Sequence, residues 1–144
     1  MSIHIFMAAY KRVWEAKNPA GFAALFTPDG LYHNTPFQVQ SGPQELAAYW
    51  ERILLQDDIL LSYKVLGATE NGGVAHWNVT YQVTSEELFQ IWASSTGTGL
   101  PDRHPGDPLP RMELDGTLLA ELDDQGLATT VRIWWHSMPQ PTAQ

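Results

Sequence analysis

Apolar residues recur at helical spacing early in the chain and at every second position later on. Phe6, Ala9, Tyr10, Val13 and Trp14 share one helical face, with Lys11, Arg12 and Glu15 off it. This predicts a helix over residues 3–17. Asn18-Pro19 then punctuates, since Asn caps helices well and Pro suits the first helical position. A short second helix is expected over residues 19–26, burying Phe22, Leu25 and Phe26. Thr27-Pro28-Asp29-Gly30 reads as a turn, Leu31-Tyr32-His33-Asn34 as a short strand, and residues 35–42 as a loop. Ser41-Gly42-Pro43-Gln44 opens a third helix with capping-box-like spacing. Leu46, Tyr49, Trp50 and Ile53 share its face, and it ends near Gln56-Asp57.

From residue 59 the period becomes two. Residues 59–69 predict a strand, Glu70-Asn71-Gly72-Gly73 a hairpin turn, and residues 74–84 the return strand. On the return strand Trp77, Val79, Tyr81 and Val83 alternate with His76, Asn78, Thr80 and Gln82. Residues 112–123 place Leu114, Gly116, Leu118, Ala120 and Leu122 on one strand face. Residues 127–137 place Val131, Ile133 and Trp135 opposite Thr130, Arg132 and Trp134. Residues 85–111 form an insertion between these long segments. Thr84-Ser85-Glu86-Glu87 suits either a short helix ending near Ala93 or a continued strand. Residues 94–110 are rich in Gly, Ser, Thr and Pro and predict no regular structure; loops of that length serve as functional lids or linkers. Residues 138–144 are expected to fray. Helices followed by strands, each strand with one apolar face, make one α+β domain over residues 1–144.

Composition narrows the function classes. The 144 residues include 8 Lys+Arg against 16 Asp+Glu, a formal net charge of −8. Nucleic acids and anionic membranes need clustered basic residues, so neither is an expected partner. Hydrophobic residues make up 44%, with six Trp, too apolar for a disordered chain. No cysteine is present, which excludes disulfides, thiolate catalysis and Cys-based metal sites. No apolar run approaches ~18 residues, and the first residues lack the basic-then-apolar order of a signal peptide. A cytoplasmic location is therefore expected, and the Asn78-Val79-Thr80 sequon is read as a chance match.

The order helix, helix, short strand, helix, long hairpin, long hairpin resembles the nuclear transport factor 2-like superfamily. Several stretches sharpen the resemblance to its SnoaL-like branch. They are Trp14-Glu15-Ala16-Lys17-Asn18 with Phe22-Ala23-Ala24-Leu25-Phe26; Leu31-Tyr32-His33-Asn34-Thr35-Pro36-Phe37; Ala48-Tyr49-Trp50; Ala75-His76-Trp77; Glu113-Leu114-Asp115-Gly116; and Arg132-Ile133-Trp134-Trp135-His136. The resemblance implies a curved, mostly antiparallel sheet around three N-terminal helices, with a cone-shaped pocket between them. It also implies a homodimer formed through the outer sheet face, where Trp134 and Leu119 break a polar surface. The ketosteroid-isomerase-like members use a first-helix Tyr and a protonated Asp as oxyanion hole, with a second Asp as base. Here Tyr10 falls on the Tyr position, Asn34 on the base position and Leu118 on the other Asp position. An amide takes no proton at neutral pH and a Leu donates none, so that isomerisation is not expected. Ile133 stands where SnoaL-like relatives tend to carry an acid.

What remains is an aromatic pocket, lined by strand parity with Tyr10, Trp14, Tyr32, Asn34, Phe37, Trp50, Trp77, Tyr81 and Trp135. The competing reading is that these rings are simply core. The polar tips of Tyr and Trp want partners when buried, and Asn34 could orient a ligand. His33 and His136 fall on the face opposite Tyr32 and Trp135, His76 opposite Trp77, and His4 and His104 at the surface. No metal site or cofactor is expected. Tyr10, His33 and Asn34 are the candidates if a reaction occurs. Three readings follow: a binder of a small apolar molecule, an enzyme of the cyclase, isomerase or dehydratase kind, or a dimeric scaffold with a vestigial pocket.

Overall fold

The computed structural model describes residues 2–95 and 106–140; residues 1, 96–105 and 141–144, with His104 among them, lie outside the described residues. Helix α1 (Ile3–Glu15) buries Ile3, Phe6, Met7, Tyr10, Val13 and Trp14 along the stripe its sequence predicts. Ser2 caps it, its hydroxyl accepting from the His4 N–H at 3.0 Å. Lys17, at φ 53°, turns the chain out of the helix. The Asn18 side chain then accepts from the Gly21 N–H at 2.9 Å and starts α2 (Pro19–Ala23), with Pro19 at its first position.

Helix α2 is shorter than the sequence suggests. Phe26 already belongs to strand β1 (Phe26–Thr35), because the Leu25 carbonyl accepts from Ala128 at 2.8 Å and draws the chain onto the last strand. The Thr27-Pro28-Asp29-Gly30 turn signal appears as a bulge within β1. Phe26 pairs with Ala128 but Leu31 with Thr130, so the residues between them stand out of the ladder. A bulge tolerates Pro28, which has no N–H to pair. The expected loop over 35–42 holds a four-residue edge strand, β2 (Gln38–Ser41), antiparallel to β1. Its Gln-Val-Gln-Ser faces are nearly all exposed, so no apolar alternation marks it.

Helix α3 (Gly42–Trp50) follows and tightens into a 3-10 turn over Glu51–Leu55. The Ser41 side chain makes no cap bond; instead the Glu45 carboxylate accepts from the Ser41 N–H at 3.0 Å. The long strands are β3 (Gln56–Thr69), β4 (Gly72–Val83), β5 (Arg111–Leu122) and β6 (Ala128–Pro139), and α4 (Glu86–Ser95) sits between β4 and β5. Of the two readings left open for the start of the insertion, the helix is found. Strand β6 runs to Pro139, and the Gln140 N–H donates to the Arg111 carbonyl at 2.7 Å. Residues 138–140 are therefore paired, not frayed as the sequence suggested.

The sheet has the order β2-β1-β6-β5-β4-β3, with β1 and β6 parallel and the other neighbours antiparallel. It curves around the helices, with Ala75, Trp77, Val79, Tyr81 and Val83 of β4 on the buried face. The outer face carries a polar ladder. His76 Nε2 lies 2.8 Å from Asp115, and the Asn78 amide donates to Glu113 at 2.8 Å.

One polar knot pins α1 to β3. The Glu15 carboxylate accepts from Lys11 Nζ at 2.6 Å and from the Leu61 N–H at 2.9 Å, while Lys11 also donates to the Leu61 carbonyl at 2.6 Å. Burial raises the Glu15 pKa, but the Lys11 and Leu61 hydrogen bonds and the Lys11 charge outweigh it and hold it below the ordinary carboxylate range. A carboxylate depressed on folding adds stability above its unfolded pKa of about 4.3, and that stability disappears as pH falls through the folded value. In Glu15→Gln, unfolding free energies measured by urea titration should therefore lose less on acidification from pH 6 to pH 3 than wild type. Parallel pH profiles for the two proteins would refute this.

Candidate functional site

The concave face of the sheet closes on an aromatic cluster. Trp50 from the end of α3 stacks on Phe22 of α2, with ring centres 3.9 Å apart and planes 5° from parallel. Trp14 of α1 meets Trp50 at 5.4 Å and Trp77 of β4 at 5.7 Å. Gly116 on β5 makes room for this. It pairs with Trp77 on one side and Trp135 on the other. A Cβ there would come within 2.8 Å of the Trp77 ring and 2.4 Å of the Trp134 carbonyl oxygen. Only glycine lets the two indoles flank it on the inner face.

Between the rings lies a cavity of about 30 Å³, walled by Trp14, Tyr32, Tyr49, Trp50, Arg52, Ile53, Gln56, Trp77, Leu114, Ile133 and Trp135. That is room for a water or two, not for a ring. A wider hollow of about 290 Å³ adjoins it, lined by Asn34, Thr35, Pro36, Ile133, Trp134, Trp135 and His136. Ile133 and Trp135 line both, so they partition the inner cavity from the outer hollow. Trp135 is held there by its indole N–H, which donates to the Asn34 carbonyl at 2.8 Å.

The predicted lining residues fall into three groups. Trp14, Tyr32, Trp50, Trp77 and Trp135 wall the cavity. Asn34 is buried at the hollow next to it, its amide donating to Gln38 at 3.0 Å. Tyr10 and Tyr81 are fully buried but do not line the cavity; Tyr10 packs behind Trp14 and Trp50. Phe37 is misplaced by the sequence reading. It sits in the tip of the β1–β2 hairpin and is 95% exposed, because a hairpin tip has no core beneath it. His33 lies on the outer face near Arg132. Desolvation and the Arg132 charge both lower its pKa, and it does not line the cavity.

Sequence parity misses Tyr49, Arg52, Ile53, Gln56 and Leu114. Gln56 is the informative omission. Its side chain is fully buried, and its Oε1 accepts from the Trp14 indole N–H at 2.8 Å. It stands where a helical reading gives way to a strand. The register of β3 then breaks between Asp57 and Leu60, with Asp58 at φ 47°. No alternation counted back from Ile59 reaches it.

The site has little acid–base capacity. Burial pushes the Tyr10 phenol far up from its ordinary value, with only partial offset from the Tyr32 hydroxyl. Burial raises Tyr32 too, reinforced by Tyr10 and Tyr49, and raises Tyr49 against the opposing pull of Arg52 and Asn34. All three stay protonated at neutral pH. Arg52 lies with its guanidinium carbon 4.0 Å from the Tyr49 ring centre, and it is the only charged residue among the described lining residues. None of those lining residues is a carboxylate or histidine. Among the described residues, no group of three His, Asp or Glu side chains could hold a metal ion.

Comparison with known proteins adds the family. The sequence pattern of the SnoaL-like domain matches residues 7–103. The chain belongs to the SnoaL-like family. No curated protein matches it significantly. Among solved structures, the SnoaL-like chain is similar to an epoxide hydrolase/cyclase-like enzyme with a role in pyran ring formation in the polyether salinomycin. Identity is 12%, TM-score 0.63, with 92% of this chain and 89% of that one covered. It is also similar to a candidate polyketide cyclase from Pseudomonas putida (18% identity, TM-score 0.60, coverage 93% and 91%). A second candidate polyketide cyclase, from Silicibacter sp., matches at 16% identity and TM-score 0.59, with coverage 93% and 88%. At these identities the SnoaL-like fold is what is shared.

The Trp14–Gln56 bond ties α1 to the start of β3 inside the SnoaL-like cone. Gln56→Leu leaves the Trp14 N–H buried and unpaired, which costs about 1–3 kcal/mol. Combined with Trp14→Phe, the loss measured by urea unfolding should be smaller than the sum of the two single losses. Strict additivity would show that the bond contributes nothing.

Proposed function

We propose that the cone binds a small, flat, largely apolar molecule. The observation that carries this is the partition formed by Ile133 and Trp135 between the inner cavity and the wider hollow. The walls are unequal in burial. Trp14, Trp50, Gln56 and Trp77 at the floor are buried, whereas Tyr49, Arg52 and Trp135 at the rim are only half buried. Swinging Trp135 outward breaks its hydrogen bond to the Asn34 carbonyl and joins two spaces lined mainly by aromatic and aliphatic side chains. The combined space is of the order used by small-ligand sites, roughly 300 Å³ and up. Turnover is not needed for this reading, and the neutral phenols supply no base. The similarity to the candidate polyketide cyclase structures supports a ligand of polyketide-like character.

Titration with 1-aminoanthracene, whose emission rises in apolar surroundings, tests the reading. Saturable one-to-one enhancement is expected for wild type, and a Kd several-fold lower for Trp135→Ala, which removes the partition. Absence of saturable binding to both proteins would overturn it.

A second reading concerns assembly. Trp134 and Met138 are 45% and 51% exposed on the outer face of β6, more apolar surface than a solvent-facing strand usually carries. We infer that two copies pair through this face. Light scattering should give a dimer mass at about 10 μM, and Trp134→Lys should give a monomer with an unchanged circular dichroism spectrum. A monomeric wild type at that concentration would refute the pairing.

A further inference from the structure

The floor of the cavity carries two buried donors without acceptors. Trp14 has only an N–H to offer, so it fixes the Gln56 amide with Oε1 toward the indole. Gln56 Nε2 therefore faces away, and it has no hydrogen-bond partner. The Trp77 indole N–H, on the adjacent strand β4 of the same sheet, is buried and unpartnered as well. Both residues are fully buried and both wall the same cavity. An unpaired buried donor is costly, about 1–3 kcal/mol for each group, and native proteins leave few of them.

We propose that Gln56 Nε2 and Trp77 Nε1 receive a neutral hydrogen-bond acceptor of the bound molecule, a carbonyl oxygen in the first instance. This rests on the ligand-binding reading and narrows it. The polarity is decided by the residues. The unpaired groups on the floor are both donors, and Arg52, the only charged residue among the described lining residues, is a donor too. A ligand hydroxyl or amine proton aimed at the floor meets another proton, so an acceptor is selected. Charge is decided by burial. A carboxylate would have to shed its water among Trp14, Trp50 and Trp77, at a cost that two neutral donors do not offset. Arg52 sits at the half-buried rim against Tyr49, not at the floor. The two donors select which end of a flat molecule goes in first, and the aromatic walls accept the rest.

Matched probes separate this from simple apolar binding. 1-Indanone and indane share a bicyclic frame and differ in one carbonyl oxygen. The ratio of their dissociation constants is measured in wild type and in Trp77→Phe, which keeps a ring and removes the N–H. The preference for 1-indanone relative to indane should fall about five- to tenfold in the variant, the worth of one buried hydrogen bond. In wild-type protein labelled with ¹⁵N-tryptophan, the Trp77 indole N–H resonance should move downfield with 1-indanone and stay in place with indane. This second measurement holds even if Trp77→Phe does not fold. If the two probes bind but the ratio is unchanged and the Trp77 resonance responds equally to both, the acceptor site is refuted while the apolar pocket stands. If neither probe binds wild type, the pocket reading falls and the acceptor site falls with it.

Discussion

Trp50 lying flat on Phe22, at 3.9 Å, is the contact on which the rest of the interior is arranged. It joins the end of α3 to α2. Tyr10 and Trp14 of α1 meet the same Trp50 ring at 5.8 and 5.4 Å. From the sheet side, Phe26 and Tyr32 of β1 meet Phe22 edge-on at 5.2 and 5.1 Å. Aromatic pairs of this kind add about 0.5–1.5 kcal/mol each beyond their buried area. They also impose shape. A wedge of stacked rings is too thick for a flat sheet to cover, so the strands curve around it. Gly116 supplies the thin spot between Trp77 on one neighbouring strand and Trp135 on the other.

Filling a cone with Trp and Tyr leaves polar tips to satisfy in a low-dielectric interior. Two are satisfied well: Trp14 by Gln56, and Trp135 by the Asn34 carbonyl. The phenols of Tyr10 and Tyr32 are held protonated by burial. The described cavity walls thus offer hydrogen-bond donors and aromatic faces, with no carboxylate or histidine among them. Asn34 and Leu118, an amide and an aliphatic side chain, stand at the positions where the ketosteroid-isomerase-like enzymes that the sequence resembles carry acids.

The outer face of the sheet follows the opposite logic. Asp115 is half exposed, and although desolvation raises its pKa, hydrogen bonds from His76 and Asn78 and the His76 charge bring it below the ordinary value. Arg111 reaches Asp58 at 3.1 Å and the Thr80 hydroxyl at 2.9 Å. These charges sit in or near water, where each pair contributes little to stability. Apolar groups such as Trp134 and Met138 among them are the exceptions. No helix of the described residues is long and apolar enough to cross a membrane.

Periodicity alone determined the order of helices and long strands, the buried stripe of α1 and the inward face of β4, because each depends on spacing within one segment. It also put Trp14, Trp50, Trp77 and Trp135 on inward faces. The bulge at Thr27–Gly30, the exposed edge strand β2 and the pairing of residues 138–140 depend on partners far along the chain, so no local pattern announced them. The same holds inside the cone. Phe37 and Tyr32 look alike in sequence, and only the hairpin places one in solvent and the other beneath the helices. Gln56 read as the polar end of a helix. Tertiary structure made it the buried partner of Trp14, forty-two residues away, because a hydrogen bond across a core is decided by which elements pack together.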